Sequence, residues 1–439
     1  MINISAAKVH ETLGKHMLAD GLPPVIDLEK SHGSWLVDAA TGREYLDLFS
    51  MFASLSIGYN HPRMVEQKER LTRAAINKPT NSDIYSVPMA EFVETLATVA
   101  QPDYLPYTFF VEGGALAVEN ALKAAFDWKV RKNLQQGKPA KGSKVIHFRE
   151  CFHGRTGYTL SLTDSPDPRK TLYFPKFDWP RITNPKLTFP LTESNLAEVQ
   201  RLEEQALAEI RQVLEADRDE IAALIIEPIQ GEGGDNHFRP EFFRALRSLA
   251  DEYEFLLIYD EVQSGVGLTG KMWAHEHFGP DARPDIISFG KKTQVCGIFA
   301  SRRLDEVKGH VFQESSRINS TWGGNLTDMV RFTMYLEIIR DENLVQAAEQ
   351  QGAYLLRQLE ELQSAYPKLI SNVRGKGLMC AFDLPSGEQR DQAVEKILEA
   401  GAIILGCGRQ SIRFRPHLNI TRDEIDQAMN LFRKVFQTL

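Results

Sequence analysis

Asp260 and Lys291 stand at the ends of two apolar, strand-like runs. Phe255-Leu256-Leu257-Ile258-Tyr259 delivers Asp260-Glu261-Val262-Gln263, and Asp285-Ile286-Ile287-Ser288-Phe289 ends at Gly290-Lys291-Lys292. An acid and a lysine are thus presented about one βαβ interval apart, and open α/β sheets bind ligands beyond the carboxyl ends of their strands. A lysine nucleophile acts through its unprotonated amine, which a buried, positively charged site favours. A carboxylate after five apolar residues is costly to bury without a cationic partner, the alternative being a cap on the next element. Pyridoxal 5′-phosphate (PLP) uses both groups, a lysine for its Schiff base and an acid facing its pyridinium nitrogen. Neighbours at a strand end point to opposite sides, so only one of the two lysines can face a cofactor. Lys291, directly after Gly290, is the one favoured; a solvated Lys-Lys pair on a loop is the alternative.

Other groups fit the same chemistry. Glu112-Gly113-Gly114-Ala115 follows a strand and opens a helix that contains Glu119. Its glycines admit a close backbone approach, and the helix N-terminus offers free N–H groups to a phosphate, although ordinary tight turns also use Gly-Gly. In Phe152-His153-Gly154-Arg155 the aromatic ring suits stacking on a cofactor and Arg155 suits a bidentate carboxylate; a core Phe with a surface Arg is the plainer reading. Glu227 and Glu232 lie at a strand end and in the glycine-rich loop after it, where a sheet displays polar groups. Ser411-Ile412-Arg413-Phe414-Arg415 reads as a strand with both arginines on one face, one of them free for a substrate carboxylate. No GxGxxG accompanies these features, which disfavours a dinucleotide-binding oxidoreductase.

The elements that must position these groups are legible as well. From about 90 to 320 the pattern alternates strand and helix: a strand at 108–111, a helix at 116–132, strands Lys144–Phe148 and Ile221–Ile226, and helices at 194–215 and 240–253. Such alternation predicts a mostly parallel sheet covered on both faces by helices. The proline- and aromatic-rich stretch 164–192 reads as a surface excursion. A hairpin is predicted around Thr41-Gly42. Beyond 326, two long helical patterns (326–340 and 344–365), strands near 377–384 and 411–415, and a helix from Arg422 predict a smaller α+β domain. The division read from the sequence is an N-terminal segment 1–48 joining the small domain, a large domain 49–325 and a small domain 326–439.

The 439 residues exceed one ordinary domain, and the composition, 43% hydrophobic and 25% charged, is that of a soluble globular protein. A net charge of −8 argues against nucleic acid or an anionic membrane as the main partner. The four scattered cysteines, Cys151, Cys296, Cys380 and Cys407, form no CxxC pair, so neither a metal site nor a disulfide framework is expected and a reducing cytoplasm fits. The start lacks signal-peptide character, and no apolar run approaches the roughly 20 residues of a membrane span.

Taken together, these residues resemble the class III PLP-dependent aminotransferases of fold type I, over nearly the whole chain. The signature is an apolar strand with Asp260-Glu261-Val262, Gly265, Asp285-Ile286-Ile287 and Gly290-Lys291. One departure is that Thr293-Gln294-Val295-Cys296 stands where a glycine-rich stretch usually follows the lysine. That stretch, with Asn77-Lys78-Pro79-Thr80-Asn81, Phe174-Pro175-Lys176-Phe177-Asp178-Trp179-Pro180-Arg181 and Gly231-Glu232-Gly233-Gly234-Asp235, is similar to the branch that transaminates the ε-amine of lysine. The class spacing selects Lys291 over Lys292.

The resemblance implies that Lys291 binds the cofactor covalently and later moves the proton. It implies that Asp260 faces the pyridinium, Phe152 stacks on the ring, Gly114 and Ala115 hold the phosphate, and Gln263 lies near the phenolic oxygen and substrate. Thr321 would reach the phosphate in the neighbouring subunit, which makes a homodimer the minimal unit. The implied reaction passes the ε-amino group of L-lysine to 2-oxoglutarate. Arg155 would then hold the far carboxylate of either partner and Arg413 the near carboxylate of 2-oxoglutarate. Glu232 would swing onto Arg413 when lysine leaves it unpaired. Ornithine or 4-aminobutyrate as donor, and a PLP-binding protein without catalysis, are the alternatives.

Overall fold

The computed structural model describes residues 2–439. The hairpin around Thr41-Gly42 forms, with β1 (Trp35–Val37) antiparallel to β2 (Glu44–Asp47). The central sheet contains β3 (Tyr107–Val111), β4 (Lys144–Phe148), β5 (Arg181–Ile182), β6 (Ile221–Ile226), β7 (Leu256–Asp260), β8 (Ile286–Phe289) and β9 (Cys296–Ala300). Their order across the sheet is β3-β9-β8-β7-β6-β4-β5. The run from β8 to β5 is parallel, while β9 is antiparallel to both β8 and β3. All six residues of β6 and all five of β7 are buried, as both-faced parallel strands require, which explains their unbroken apolar sequences.

Helices cover the two faces. Gly114–Gln135 lies on one, and its alanines 117, 121, 124 and 125 are buried, so the backbone comes close to the strands. Pro240–Tyr253 buries Phe242, Phe243, Leu246, Leu249 and Ala250 at helical spacing and stops at Glu254 in the left-handed region. The 164–192 stretch is less detached than its composition predicts. It returns to add β5 to the sheet edge, and Trp179 is buried, with Phe177 stacked on it at 5.2 Å.

Past the long helices Leu326–Asp341 and Leu344–Ala365, β10 (Ser371–Lys376), β11 (Met379–Asp383), β13 (Leu405–Cys407) and β14 (Ser411–Phe414) make an antiparallel sheet in the order β10-β11-β14-β13. Strand β10, strand β13, the two-residue β12 (Ala402–Ile403) and the helix Gly387–Ala400 escaped the sequence reading, β12 and β13 because they are too short to show a period and β10 because its polar sequence Ser-Asn-Val-Arg-Gly-Lys shows no apolar alternation. β12 pairs in parallel with β2, which ties the N-terminal hairpin to the C-terminal part of the chain. No helix among the described residues is long and apolar enough to cross a membrane, and all four cysteines are free and buried.

Candidate active site

A cavity of about 500 Å³ opens beyond the carboxyl ends of β4, β6, β7 and β8. It is lined by Gly114, Ala115, Phe152, Arg155, Glu232, Asp260, Gln263, Lys291 and Arg413, together with Phe52, His153, Gly154, Thr156, Lys170, Glu227 and Val262. Every site residue expected from the sequence, Thr321 excepted, therefore reaches one space. Thr321 sits in an exposed loop, its carbonyl accepting from Ser82 Oγ at 3.3 Å, outside this cavity. Asn81, in the stretch that contacts this loop, is buried and donates to the Gly324 carbonyl at 3.0 Å.

The two lysines part company, but not through strand alternation. β8 ends at Phe289, and Lys291 opens a 3-10 turn with φ at 54°, a left-handed conformation that costs a non-glycine residue about 1–2 kcal/mol. Gln294 Nε2 donates to the Lys291 carbonyl at 3.1 Å and to the Ser54 carbonyl at 2.6 Å, which holds the turn. Lys291 faces the cavity. Lys292 is buried behind it, its Nζ donating to the Gln263 carbonyl at 3.2 Å. Burial, reinforced by the charge of Arg413, lowers the Lys291 amine to about 8.

Asp260 ends β7 with both carboxylate oxygens engaged. Oδ1 accepts from Ser288 Oγ at 3.1 Å and from the Val262 backbone N–H at 3.1 Å. Oδ2 lies 2.8 Å from Nδ1 of His153, a buried imidazole whose Nε2 has no partner. Burial disfavours charge on that ring, but Cys151 and the Asp260 carboxylate outweigh it and hold its pKa well above the ordinary value. Glu227 accepts from the backbone N–H groups of Phe152 at 2.8 Å and Gly231 at 3.0 Å, and burial pushes its carboxyl up to about 7 against the pull of His153. The sequence gives His153 no role of its own; its place directly after Phe152 in the Phe152–Arg155 motif is the available signal.

Close approach explains two of the glycines. A Cβ on Gly114, the first residue of its helix, would stand 2.9 Å from Val262 Cγ1, and one on Gly231 would stand 2.3 Å from Gln263 Oε1. On the cavity's other flank a left-handed turn, Ser50 to Ala53 with φ between 42° and 62°, presents Phe52. Asp47 Oδ1 fixes that turn by accepting from the N–H groups of Phe49 at 2.9 Å and Ser50 at 2.8 Å, and Ser50 Oγ donates to the Arg415 carbonyl at 2.6 Å.

The two arginines near the end of β14 have different company. Arg413 Nη2 lies 3.0 Å from Glu232 Oε2, while its buried Nη1 has no partner. Arg415, one residue beyond the strand, is paired with the fully buried Asp235 and donates twice to Gln263 Oε1. Glu232 also meets Lys170, with Nζ 2.6 Å from Oε1. Burial opposes ionisation of Glu232, but Arg413 and then Lys170 outweigh it and hold its pKa below the usual carboxylate range. Arg155 stands exposed at the cavity mouth.

These groups fit PLP on several independent counts. The cavity has the size of a cofactor site. It holds an amine of lowered pKa, a carboxylate at a strand end, an aromatic ring and a helix N-terminus at a glycine of close approach. The unpartnered Arg413 Nη1 adds a buried donor for a carboxylate.

The sequence profile of class III aminotransferases matches residues 17–436. An L-lysine-epsilon aminotransferase from Mycobacterium tuberculosis is 54% identical over 430 residues, covering 97% of this chain and 94% of the relative. One from Streptomyces clavuligerus is 49% identical, covering 97% and 93%. A 4-aminobutyrate aminotransferase from Dictyostelium discoideum is 34% identical, covering 94% and 85%. The solved structure of a lysine aminotransferase from M. tuberculosis superposes with a TM-score of 0.96 at 51% identity, covering 99% of this chain and all of that one. Profile, identity and superposition agree with the cavity's chemistry: the chain belongs to the class III aminotransferases, PLP-dependent enzymes of fold type I.

Proposed function

We propose that the enzyme moves the ε-amino group of L-lysine to 2-oxoglutarate, giving 2-aminoadipate 6-semialdehyde and L-glutamate in a ping-pong cycle. The observation that carries this reading is the Arg413–Glu232 pair with its open Nη1. Such a site accepts two unlike partners. The acceptor brings a carboxylate beside the reacting carbon, which needs Arg413. Lysine reacting at its ε-amine brings none there, and Glu232 then neutralises the buried guanidinium. The two relatives of highest identity cited above act on lysine by their names, which supports the same donor.

When bound, PLP supplies an electron sink for bond breaking at the reacting carbon. The protein's part follows from its own groups. Lys291 anchors the cofactor and carries the migrating proton on Nζ, and its lowered pKa supports that role. Asp260, oriented by His153 and Ser288, would face the ring nitrogen and favour its protonated form. Phe152 would stack on the ring, Gly114 and Ala115 would hold the phosphate, Gln263 would bind near the phenolic oxygen and substrate, and Arg155 would hold the far carboxylate at the mouth.

The working unit in this proposal is a cytoplasmic homodimer in which Thr321 completes the neighbouring subunit's phosphate site. Exposed Ile76, Ile84, Tyr85 and Val87, at 69–77% accessibility, lie on the segment that contacts the Thr321 loop and support a covering partner. The division into residues 1–48, 49–325 and 326–439 belongs to the same proposal, supported by the β2–β12 pairing.

The test is a donor screen. Purified holoenzyme with 2-oxoglutarate is given lysine, ornithine or 4-aminobutyrate; glutamate is measured for all three, and the cyclised semialdehyde for lysine and ornithine, whose remaining α-amine closes the ring. Preference for ornithine or 4-aminobutyrate would sink the lysine assignment. A cofactor band that no amino donor bleaches would sink catalysis altogether.

A further inference from the structure

Lys170 sits on the 164–192 stretch, at the end of a short 3-10 turn (Pro168–Lys170), and reaches across the cavity rim to Glu232. The carboxylate thus bridges two cations, Lys170 Nζ at 2.6 Å from one oxygen and Arg413 Nη2 at 3.0 Å from the other. The two cations are not equivalent. Arg413 is anchored on β14 and buried to 5% side-chain exposure, whereas Lys170 retains 26% and lies with its ammonium 5.7 Å from the Phe152 ring centroid. A flexible lysine stem with a face of an aromatic ring to rest on can follow a moving carboxylate.

We propose that Lys170 is a specificity-determining positioning residue: it receives Glu232 when a dicarboxylate takes Arg413. This inference rests on the Arg413–Glu232 exchange described above. With lysine bound at its ε-amine, the Arg413–Glu232–Lys170 triad stays intact. When the near carboxylate of glutamate or 2-oxoglutarate pairs with Arg413, Glu232 must let go. A half-buried carboxylate left there without a cation would be desolvated, unpaired and close to a like charge. Lys170 removes that penalty, so its contribution falls on the dicarboxylate half of the cycle. Loss of Glu232 falls on the other half, because it is then Arg413 that is stranded.

The experiment compares Lys170→Met, Lys170→Arg, Glu232→Ala and the Lys170→Met/Glu232→Ala double variant as holoenzymes. Each half-reaction is followed by single-turnover absorbance of the bound cofactor, with lysine or with glutamate. Binding of glutarate, a dicarboxylate that cannot react, is measured by calorimetry. Lys170→Met should slow the glutamate half-reaction and weaken glutarate by roughly tenfold, the size expected of a partly buried charge pair. Its loss with lysine should be several-fold smaller. Lys170→Arg should recover most of both signals, and Lys170→Met should add nothing in the Glu232→Ala background. Equal losses in both halves, no loss in either, or a further loss in the Glu232→Ala background would overturn the proposal, the last by showing direct contact with substrate. If Glu232→Ala is itself unselective, the exchange falls and this inference with it. If Glu232→Ala is selective and Lys170→Met is not, only the role of Lys170 falls.

Discussion

Arg415 donates to a single oxygen of Gln263, from Nη2 at 2.8 Å and from Nε at 3.1 Å. That fixes the amide, because an oxygen facing a guanidinium leaves the NH₂ end to face the cavity. Arg415 itself is held by Asp235, and both are almost fully buried. Two residues earlier, Arg413 meets the half-buried Glu232 and keeps one nitrogen open. The neighbouring arginines thus divide the work of holding structure and meeting substrate.

The division predicts opposite phenotypes. Arg415→Met strands the Asp235 charge and should lower unfolding free energy by about 3–5 kcal/mol, read from urea denaturation. Arg413→Met leaves Glu232 its Lys170 partner, so no buried charge is stranded and the loss of stability should be clearly smaller than for Arg415→Met, while glutamate turnover falls sharply. Comparable destabilisation by both would contradict the division.

Glu232→Ala should impair the lysine half-reaction more than the glutamate half-reaction, because only lysine leaves Arg413 without a substrate carboxylate. A buried unpaired guanidinium costs several kcal/mol, and even a fraction of that is a tenfold or larger difference between the two single-turnover rates. Matched losses would remove Glu232 as the exchanging group.

The amine of Lys291 is lowered to about 8 by burial and by Arg413. In cofactor-free protein, acylation of Lys291 followed by peptide mass spectrometry should therefore rise to its half-maximum near pH 8. Arg413→Met removes a cation that disfavours the ammonium, so the midpoint should move upward. Lys292, buried and engaged with the Gln263 carbonyl, should stay unlabelled in the folded protein. A Lys291 midpoint near that of an ordinary lysine, about 10.4, would refute the assignment.

Glu227 gives a stability signature. Its folded-state carboxyl titrates at about 7, above the ordinary 4.5, with burial as the leading cause. A carboxyl raised on folding holds its proton more tightly when folded. Its contribution is full below pH 4.5 and is lost as pH rises through about 7. Glu227→Gln removes this titration, so from about pH 5 to pH 8 the variant should gain about 2–3 kcal/mol relative to the parent. A difference in unfolding free energy that is independent of pH would count against it.

Much of the fold could be read from the chain because its signals are local. The apolar runs of β6 and β7, the helical period of Pro240–Tyr253 and the turn at Thr41-Gly42 each fit within one element. Among the elements missed, β10 and β13 lie in the four-stranded sheet, the helix Gly387–Ala400 packs against it, and β12 pairs with β2; neighbours rather than periodicity define them. The site was legible where a residue sits at a strand end, as Asp260 does, or beside it, as Lys291 does. It was illegible where the partner is remote. Nothing near Lys170 in sequence announces Glu232, 62 positions away, and nothing near Asp235 announces Arg415, 180 positions away.

The sequence alone determined the chemistry: a lysine and an acid at successive strand ends, a glycine-led helix, and arginines and glutamates at predictable edges. Residue type and strand direction suffice for that, since a parallel sheet delivers its carboxyl ends to one side. Only the tertiary structure decided which of these groups are paired and which are free. Lys291 faces the cavity because a left-handed turn rotates it there. Arg415 is spent on Asp235 and Gln263, Arg413 keeps an open nitrogen, and Glu232 is shared with Lys170. Pairing depends on distances between atoms far apart along the chain, and folding alone sets those distances.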